Sequence, residues 1–90
     1  MGKEEIDYIH NIIDTIREKR LKYWDKHYRF PDAIVLNNEI LMNLKIYYLY
    51  LLGEKEIKTI FGMKLLIDNE IKTINDIEVF NIEEMKNNAV

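Results

Sequence analysis

Apolar residues recur at helical spacing through the first 27 residues, and the single proline of the chain follows soon after. Acidic residues near the start of this segment and basic residues near its end complement the dipole of a helix. Pro31 ends the helix, because a residue that precedes proline is pushed out of the helical region. The sequence therefore predicts a long amphipathic helix from Lys3 to about His27. One face carries Ile6, Ile9, Ile13, Ile16 and Trp24, with Ile12 and Tyr23 at its edge.

Beyond Pro31 the chain changes to short apolar runs separated by turn signals. The branched run AIVL at 33–36 predicts a buried strand. Asn37 or Asn38 can cap a second helix that ends at Gly53, the residue type expected just past a helix end. This helix carries Ile40, Leu41, Leu44, Tyr48, Leu51 and Leu52. The runs IKTIF at 57–61, MKLLI at 63–67 and IEVFNI at 77–82, the last within a strand from Asp76 to Ile82, predict a small meander of two or three strands.

The size and composition indicate one packed domain of the α+β class. With 90 residues, 48% hydrophobic and 32% charged, the chain is globular in composition, and a chain of this length has room for one core. We expect a long N-terminal helix and a second helix on a small mixed or antiparallel sheet of three to four strands. Residues 1–29 would form the helix, 31–82 the strand-helix-strand-strand core and 83–90 a polar tail.

The pentapeptide EIKTI occurs twice, at 56–60 and at 70–74. The copies are 14 residues apart and have dissimilar neighbours, whereas repeat architectures have periods of about 20 to 50 residues. Compositional bias toward Ile and Lys accounts for the repetition. We expect the two copies to flank the MKLLI strand, the second as a loose connection before the last strand.

Few of the groups that enzymes use are present. The chain has no Cys and no Ser, and its hydroxyl nucleophiles reduce to Thr15, Thr59 and Thr73, none beside an evident base. There is no glycine-rich phosphate loop. We therefore expect a protein that is not an enzyme and that carries no cofactor and no metal.

Nothing in the sequence predicts a membrane or secretory address. The most apolar run, 40–52, is interrupted by Asn43 and Lys45 and is shorter than the roughly 20 residues that span a bilayer. The N-terminal MGKEEIDY lacks the apolar core of a signal peptide. Together with the lack of cysteine, these features favour a cytoplasmic location.

One catalytic pattern needs to be weighed, because Pro31-Asp32 is followed by Glu56-Ile57-Lys58. In nucleases with a PD…ExK pattern, two carboxylates hold a divalent metal and the Lys acts on the attacking water. That chemistry requires Asp32 and Glu56 on adjacent strands, but a whole predicted helix separates them. The alternative, a turn aspartate with a solvated Glu and Lys, is favoured.

A basic segment lies at 17–29, where six Lys or Arg accompany only Glu18 and Asp25. A helical wheel places Lys19, Lys22, Lys26 and Arg29 together as a basic stripe, with Tyr23 and Tyr28 as stacking rings nearby. Such a stripe favours a nucleic-acid-binding module, with Lys and Arg on phosphates and rings on bases. A solvated helix face, whose cations suit the helix C-terminus, is the commoner explanation.

The second helix carries three tyrosines in four positions, which cannot all face one core. Tyr48 falls with the leucines, whereas Tyr47 and Tyr50 point to other sides. Exposed tyrosine is favoured in protein interfaces. Tyr47 and Tyr50 are therefore candidate partner-binding residues, although rings lying over the sheet edge would explain them as well.

The order PDAIVLNNEILMNL, IKTIFGMKLLIDNEI and IEVF resembles a pattern found in small proteins of bacteriophages and prophages of low-GC bacteria. The resemblance covers residues 31–82 and depends on Pro31, Gly62, Asp68 and the apolar positions. Part of the axial domain of the tailed-phage capsid protein has a similar order. The resemblance implies a phage origin and an α+β fold, and it carries over no catalytic residue.

Taken together, these features favour a small accessory protein that acts by binding another protein. Inhibition of a host defence or regulatory factor, as anti-CRISPR proteins do, is one form of such an activity. The nucleic-acid module built on 19–29 is the main alternative. An open sheet edge could also pair two copies in a homodimer.

Overall fold

The computed structural model describes residues 2–83 of the chain. Its elements are α1 (Lys3–His27), β1 (Ala33–Leu36), α2 (Asn38–Leu52), β2 (Thr59–Ile60), β3 (Met63–Ile67), a 3₁₀ turn (Ile74–Asp76) and β4 (Glu78–Phe80). Both predicted helices and the strand at 33–36 are confirmed, as is the α+β class. Apart from Glu83, the predicted tail lies outside the described residues.

Within residues 2–83 the sheet has four strands, in the order β2-β3-β1-β4. β1 is parallel to β3 and antiparallel to β4, while β2 and β3 form an antiparallel hairpin. The predicted meander is therefore wrong in one respect, since β4 pairs with β1 and not with β3. The parallel pairing of β1 and β3 is possible because α2 and the loop after it carry the chain back across the sheet.

The predicted strand at 57–61 is shorter in the structure, Thr59–Ile60, and a two-residue turn ends it. Ile60 pairs with Met63, so Phe61 and Gly62 are the central residues of the hairpin. Their φ values are 50° and 79°, and two positive φ angles at these positions define the type I′ turn whose twist suits a hairpin. Gly62 is therefore a turn residue, while Phe61 adopts a conformation that is uncommon for a non-glycine residue.

The core lies between the sheet and the helices and is built almost entirely from aliphatic side chains. Its fully or nearly fully buried members are Ile9, Ile12, Ile13, Ile16, Ile34, Leu36, Ile40, Leu44, Ile60, Met63 and Ile77. Alternation along β1 directs Ile34 and Leu36 toward the helices. Ile12, expected at the edge of the apolar face, is fully buried.

Four residues predicted to be apolar core or helix-stripe positions are exposed: Ile6, Trp24, Leu51 and Leu52. For Ile6 and Trp24 the reason is the length of α1. This helix has 25 residues and the longest strand within residues 2–83 has five, so the helix is roughly 37 Å long against about 17 Å of strand. Only the middle of α1 can lie over the sheet, and its ends extend beyond it.

The C-terminal end of α1 extends beyond the sheet, where two aromatic rings and an arginine form a small cluster. The Trp24 and Phe30 rings stack with their centroids 4.9 Å apart, and the Arg20 guanidinium lies 4.0 Å from the Phe30 ring centroid. The chain reverses direction through Tyr28, which is left-handed at φ 57° and donates its N–H to the Trp24 carbonyl oxygen at 2.7 Å. Cation–π and ring-stacking contacts therefore hold the exit of the helix.

Replacing Tyr28 by Gly is expected to stabilise the fold by about 0.5–1 kcal/mol. The left-handed residue after a helix is usually Gly, because a Cβ is unfavourable there, and the Tyr28 side chain is 80% exposed, so little packing is lost. Urea denaturation would measure the change. Tyr28→Ala is the control, since it removes the ring but keeps the Cβ. Equal effects of the two substitutions would contradict the assignment of strain to this backbone position.

Candidate functional site

The outward-facing side of α2 carries a continuous row of exposed apolar side chains. Met42, Ile46, Leu49 and Tyr50 are all exposed, and their spacing of four, seven and eight residues places them on one side of the helix. We call these four residues the α2 outer face. Leu52 is exposed next to them in the last turn.

α2 is apolar on its other side as well, and that side packs on the core and holds the helix in place. Ile40 and Leu44 are buried in the core, while Leu41, Tyr47 and Tyr48 are partly buried against it. A helix that is apolar all round normally lies inside a protein. Here one side of such a helix has no covering element within residues 2–83, and this is what makes the α2 outer face a candidate binding surface.

The N-terminus of α2 is anchored by one buried side chain. Asn37 Oδ1 accepts a hydrogen bond from Ile40 N at 2.7 Å, and Asn37 Nδ2 donates to the Ile71 carbonyl oxygen at 2.8 Å. The first bond caps the helix, and the second ties it to the segment that follows β3. The α2 outer face therefore belongs to a helix with a fixed position on the sheet.

The two candidate tyrosines of α2 lie in different surroundings. Tyr50 is 74% exposed and belongs to the α2 outer face. Tyr47 is partly buried, with edge-on ring contacts to His10 at 6.1 Å and to Tyr48 at 5.9 Å between centroids. Burial raises the pKa of Tyr48. Tyr50 is thus exposed and stays a candidate partner-binding residue, while Tyr47 serves the contact between α1 and α2.

The basic segment of α1 is divided among several local contacts. Lys19 Nζ donates to the Asn75 carbonyl oxygen at 2.9 Å, and Lys22 forms an ion pair with Glu18 at 2.9 Å. The Tyr23 ring lies 4.2 Å from that of His27. Lys19, Lys22, Tyr23 and Lys26 line an open groove of about 390 Å³ beside β4, so three of the four predicted stripe residues lie together with one of the nearby rings.

Arg29 does not continue this stripe. The helix ends at His27 and the backbone reverses at Tyr28, so the helical wheel that placed Arg29 beside Lys26 is wrong at this position. Arg17 lies over the Phe61 ring, 5.6 Å from its centroid, and Arg20 packs on Phe30. Two of the six cations in 17–29 therefore contact aromatic rings that pack against α1.

The residues of the nuclease pattern lie two strands apart. Asp32 precedes β1, whereas Glu56 and Lys58 precede β2, and β3 lies between these strands. Asp32 Oδ1 accepts a hydrogen bond from Ile82 N at 2.9 Å and so ties the end of β4 to the start of β1. Across residues 2–83, no three or more His, Asp or Glu residues are grouped to hold a metal ion.

Sequence reasoning singled out Tyr50 but missed Met42, Ile46 and Leu49. A signal was present, because these residues repeat at helical spacing opposite the Leu44 side of the same helix. Periodicity alone could not show which of two apolar sides the sheet covers. Neither helix in the described range is long and apolar enough to cross a membrane.

Comparison of the chain with protein-family models, curated proteins and solved structures found no significant match.

Proposed function

We propose that this chain is a non-catalytic binding protein that docks onto another protein through the α2 outer face. The observation that carries the proposal is the exposure of Met42, Ile46, Leu49 and Tyr50 as one stripe on an anchored helix. Helices that present an apolar stripe at this spacing commonly bind in an apolar groove of a partner. In such a complex the partner provides the groove and the helix fits into it.

The energetics support such docking. Complete burial of a Leu, Ile or Met side chain contributes roughly 1.5–3 kcal/mol, so several half-exposed side chains together offset the several kcal/mol that association costs. Tyr50 adds a ring with a hydroxyl group, a combination enriched among the residues that dominate binding energy. Because the backbone of α2 is already folded and capped, it loses little conformational entropy when it binds.

The sequence supports a role without catalysis, since it contains neither Ser nor Cys and its three Thr residues have no evident base partner. The phage-like pattern over 31–82 suggests one form of the activity. A small phage protein that occupies a functional surface of a host defence or regulatory protein, in the manner of anti-CRISPR inhibitors, would need no more than such a face. We propose that the protein acts in the cytoplasm, because the sequence has no cysteine and no predicted membrane or secretory segment.

The test compares two leucines of nearly equal exposure on different helices. Leu49 is 53% exposed on α2 and Leu21 is 56% exposed on α1. Tagged wild-type protein, Leu49→Glu and Leu21→Glu would each be used to capture proteins from a low-GC bacterial lysate treated with nuclease, and bound proteins would be quantified by mass spectrometry. We expect a discrete partner whose recovery falls at least tenfold with Leu49→Glu and less than twofold with Leu21→Glu.

Two results would contradict the proposal. One is a partner captured equally by all three proteins, which would place the binding surface elsewhere. The other is recovery of nucleic acid without any protein when nuclease is omitted, lost at high salt. That result would favour the alternative in which Lys19, Lys22 and Lys26 contact phosphates. Circular dichroism and urea denaturation of each variant would show that the fold is retained.

A further inference from the structure

A second apolar surface lies on the side of the sheet that faces away from the helices. Ile34 and Leu36 face the helical core, so alternation directs Ala33 and Val35 to the opposite side of β1. An open depression of about 750 Å³ lies on this side. It is lined by Val35, Lys64, Leu66, Asp68, Glu78, Phe80 and Ile82. We call this surface the outer sheet face.

The strand registers arrange the outer sheet face in two rows. Val35 pairs with Leu66 on one side and with Glu78 on the other. Ala33 pairs with Lys64 and with Phe80. Strands lie about 4.8 Å apart and alternate residues about 6.7 Å apart, so the four corner residues form a rectangle of roughly 10 by 7 Å.

Charge and apolar character occupy opposite diagonals of this rectangle. Lys64 and Glu78 are the ends of one diagonal, and Leu66 and Phe80 are the ends of the other. Val35 lies between Leu66 and Phe80, and Ala33 beside it is fully buried, so an apolar band of Leu66, Val35 and Phe80 crosses the face from one corner to the opposite corner. An open sheet face is usually polar, and an apolar band of this kind normally has a covering layer.

This pattern is complementary to itself. A two-fold axis along the Leu66–Phe80 diagonal would place the apolar band of one copy against the same band of a second copy. The same rotation would bring Lys64 of each copy next to Glu78 of the other, so the charge pair would form twice. The strands of the two sheets would then cross at roughly a right angle, which is one of the two common ways in which sheets pack face to face.

We propose that two copies of this chain associate through the outer sheet face, with Lys64 of each paired to Glu78 of the other around an apolar centre of Val35, Leu66 and Phe80. The partner is a second copy because a two-fold interface has to match itself, and the diagonal charges do so. The inference concerns a different surface from the α2 outer face and is independent of the proposed function.

The size of the face sets the strength of the dimer. The three strands have four, five and three residues and cover roughly 14 by 13 Å, well below the area that a stable dimer buries from each partner, about 800 Å². The dimer should therefore be weak and transient, as are interfaces that bury less than about 1,200 Å² in total. Screening of the two charge pairs should weaken the dimer at high salt.

A charge swap tests the pairing directly. Sedimentation equilibrium would be run between about 5 and 500 µM on wild-type protein, Glu78→Lys, Lys64→Glu and the double variant Lys64→Glu/Glu78→Lys. Each single variant places like charges together at two contacts, so we expect dissociation to increase at least tenfold. The double variant restores opposite charges and should dimerise within about threefold of wild type. Leu49→Glu is the control and should leave the dimer unchanged.

Three results would overturn the proposal: a monomer throughout this concentration range, a dimer insensitive to the single swaps, or single-swap losses that the double variant does not restore. A dimer broken by Leu49→Glu would also overturn it, because the α2 outer face would then be the contact. Urea denaturation of every variant at low concentration would separate loss of association from loss of folding.

Discussion

Replacing Leu44 by Ala should lower the free energy of unfolding by about 3 kcal/mol. Leu44 is 1% exposed and lies in the core that α1, α2 and the sheet form together. Truncation of a buried Leu costs roughly 2–5 kcal/mol, because the lost burial is added to the cost of the cavity left behind. In a small domain whose total stability is about 5–10 kcal/mol, the variant would retain only part of its stability. Equilibrium urea denaturation followed by circular dichroism measures the change.

Leu49→Ala is the matched control, since it makes the same change on the opposite side of the same helix. Leu49 is 53% exposed, so its truncation should change the free energy of unfolding by no more than about 0.5 kcal/mol, as for most surface substitutions. Equal losses for the two variants would show that α2 does not have one buried and one exposed side. A large loss for Leu49→Ala that depends on protein concentration would show that the α2 outer face is buried between chains.

Asn37→Ala should lower the free energy of unfolding by about 2–3 kcal/mol. The Asn37 side chain forms one bond that caps α2 and another that reaches the Ile71 carbonyl oxygen. Loss of an N-cap costs about 1 kcal/mol, and loss of the second bond leaves the Ile71 carbonyl without the donor that satisfies it, which costs a further 1 kcal/mol or more. Urea denaturation measures the sum.

Asn37→Ser separates the two contributions. Ser is as good an N-cap as Asn, but its shorter side chain has no amide to donate to the Ile71 carbonyl oxygen. We therefore expect Asn37→Ser to lose about half as much as Asn37→Ala. If Ser and Ala lose the same amount, the cap contributes nothing to stability. If Ser matches the wild-type protein, the bond to Ile71 contributes nothing.

The helices could be predicted from sequence because their signals are local. The period of the isoleucines in α1, the Asn37 cap and Gly53 at the end of α2 each depend on residues within a few positions of one another. The same holds for β1, a short branched run between Pro31 and an asparagine pair. These features required no knowledge of what each element packs against.

The pairing of the strands could not be predicted in this way. β4 follows β3 in sequence but pairs with β1, and no local pattern in 63–80 distinguishes the two arrangements. The exposure of Trp24 and Ile6 depends likewise on the short length of the strands under α1, which the helix sequence does not contain. Phe61 in a turn position that favours Gly or Asn is a local conflict that the hairpin as a whole overrides.

The candidate site was predictable only in part for a related reason. Tyr50 was recognisable because three tyrosines in four positions cannot share one side of a helix. Met42, Ile46 and Leu49 are ordinary apolar residues, and only the packing of Leu44 onto the sheet shows that they lie outside the core. The outer sheet face required the registers of two strand pairs, because its charge diagonal joins residues from β3 and β4.

The central position of β1 also determines when this chain can fold during its synthesis. Ala33 pairs with Lys64 and with Phe80, which are 31 and 47 residues further along the chain. A growing chain therefore contains α1 and β1 long before either strand that pairs with β1 exists. Non-local pairing of this kind delays folding. A chain truncated before residue 78 would lack β4 and leave one edge of β1 unpaired, the kind of incompletely folded species that aggregates.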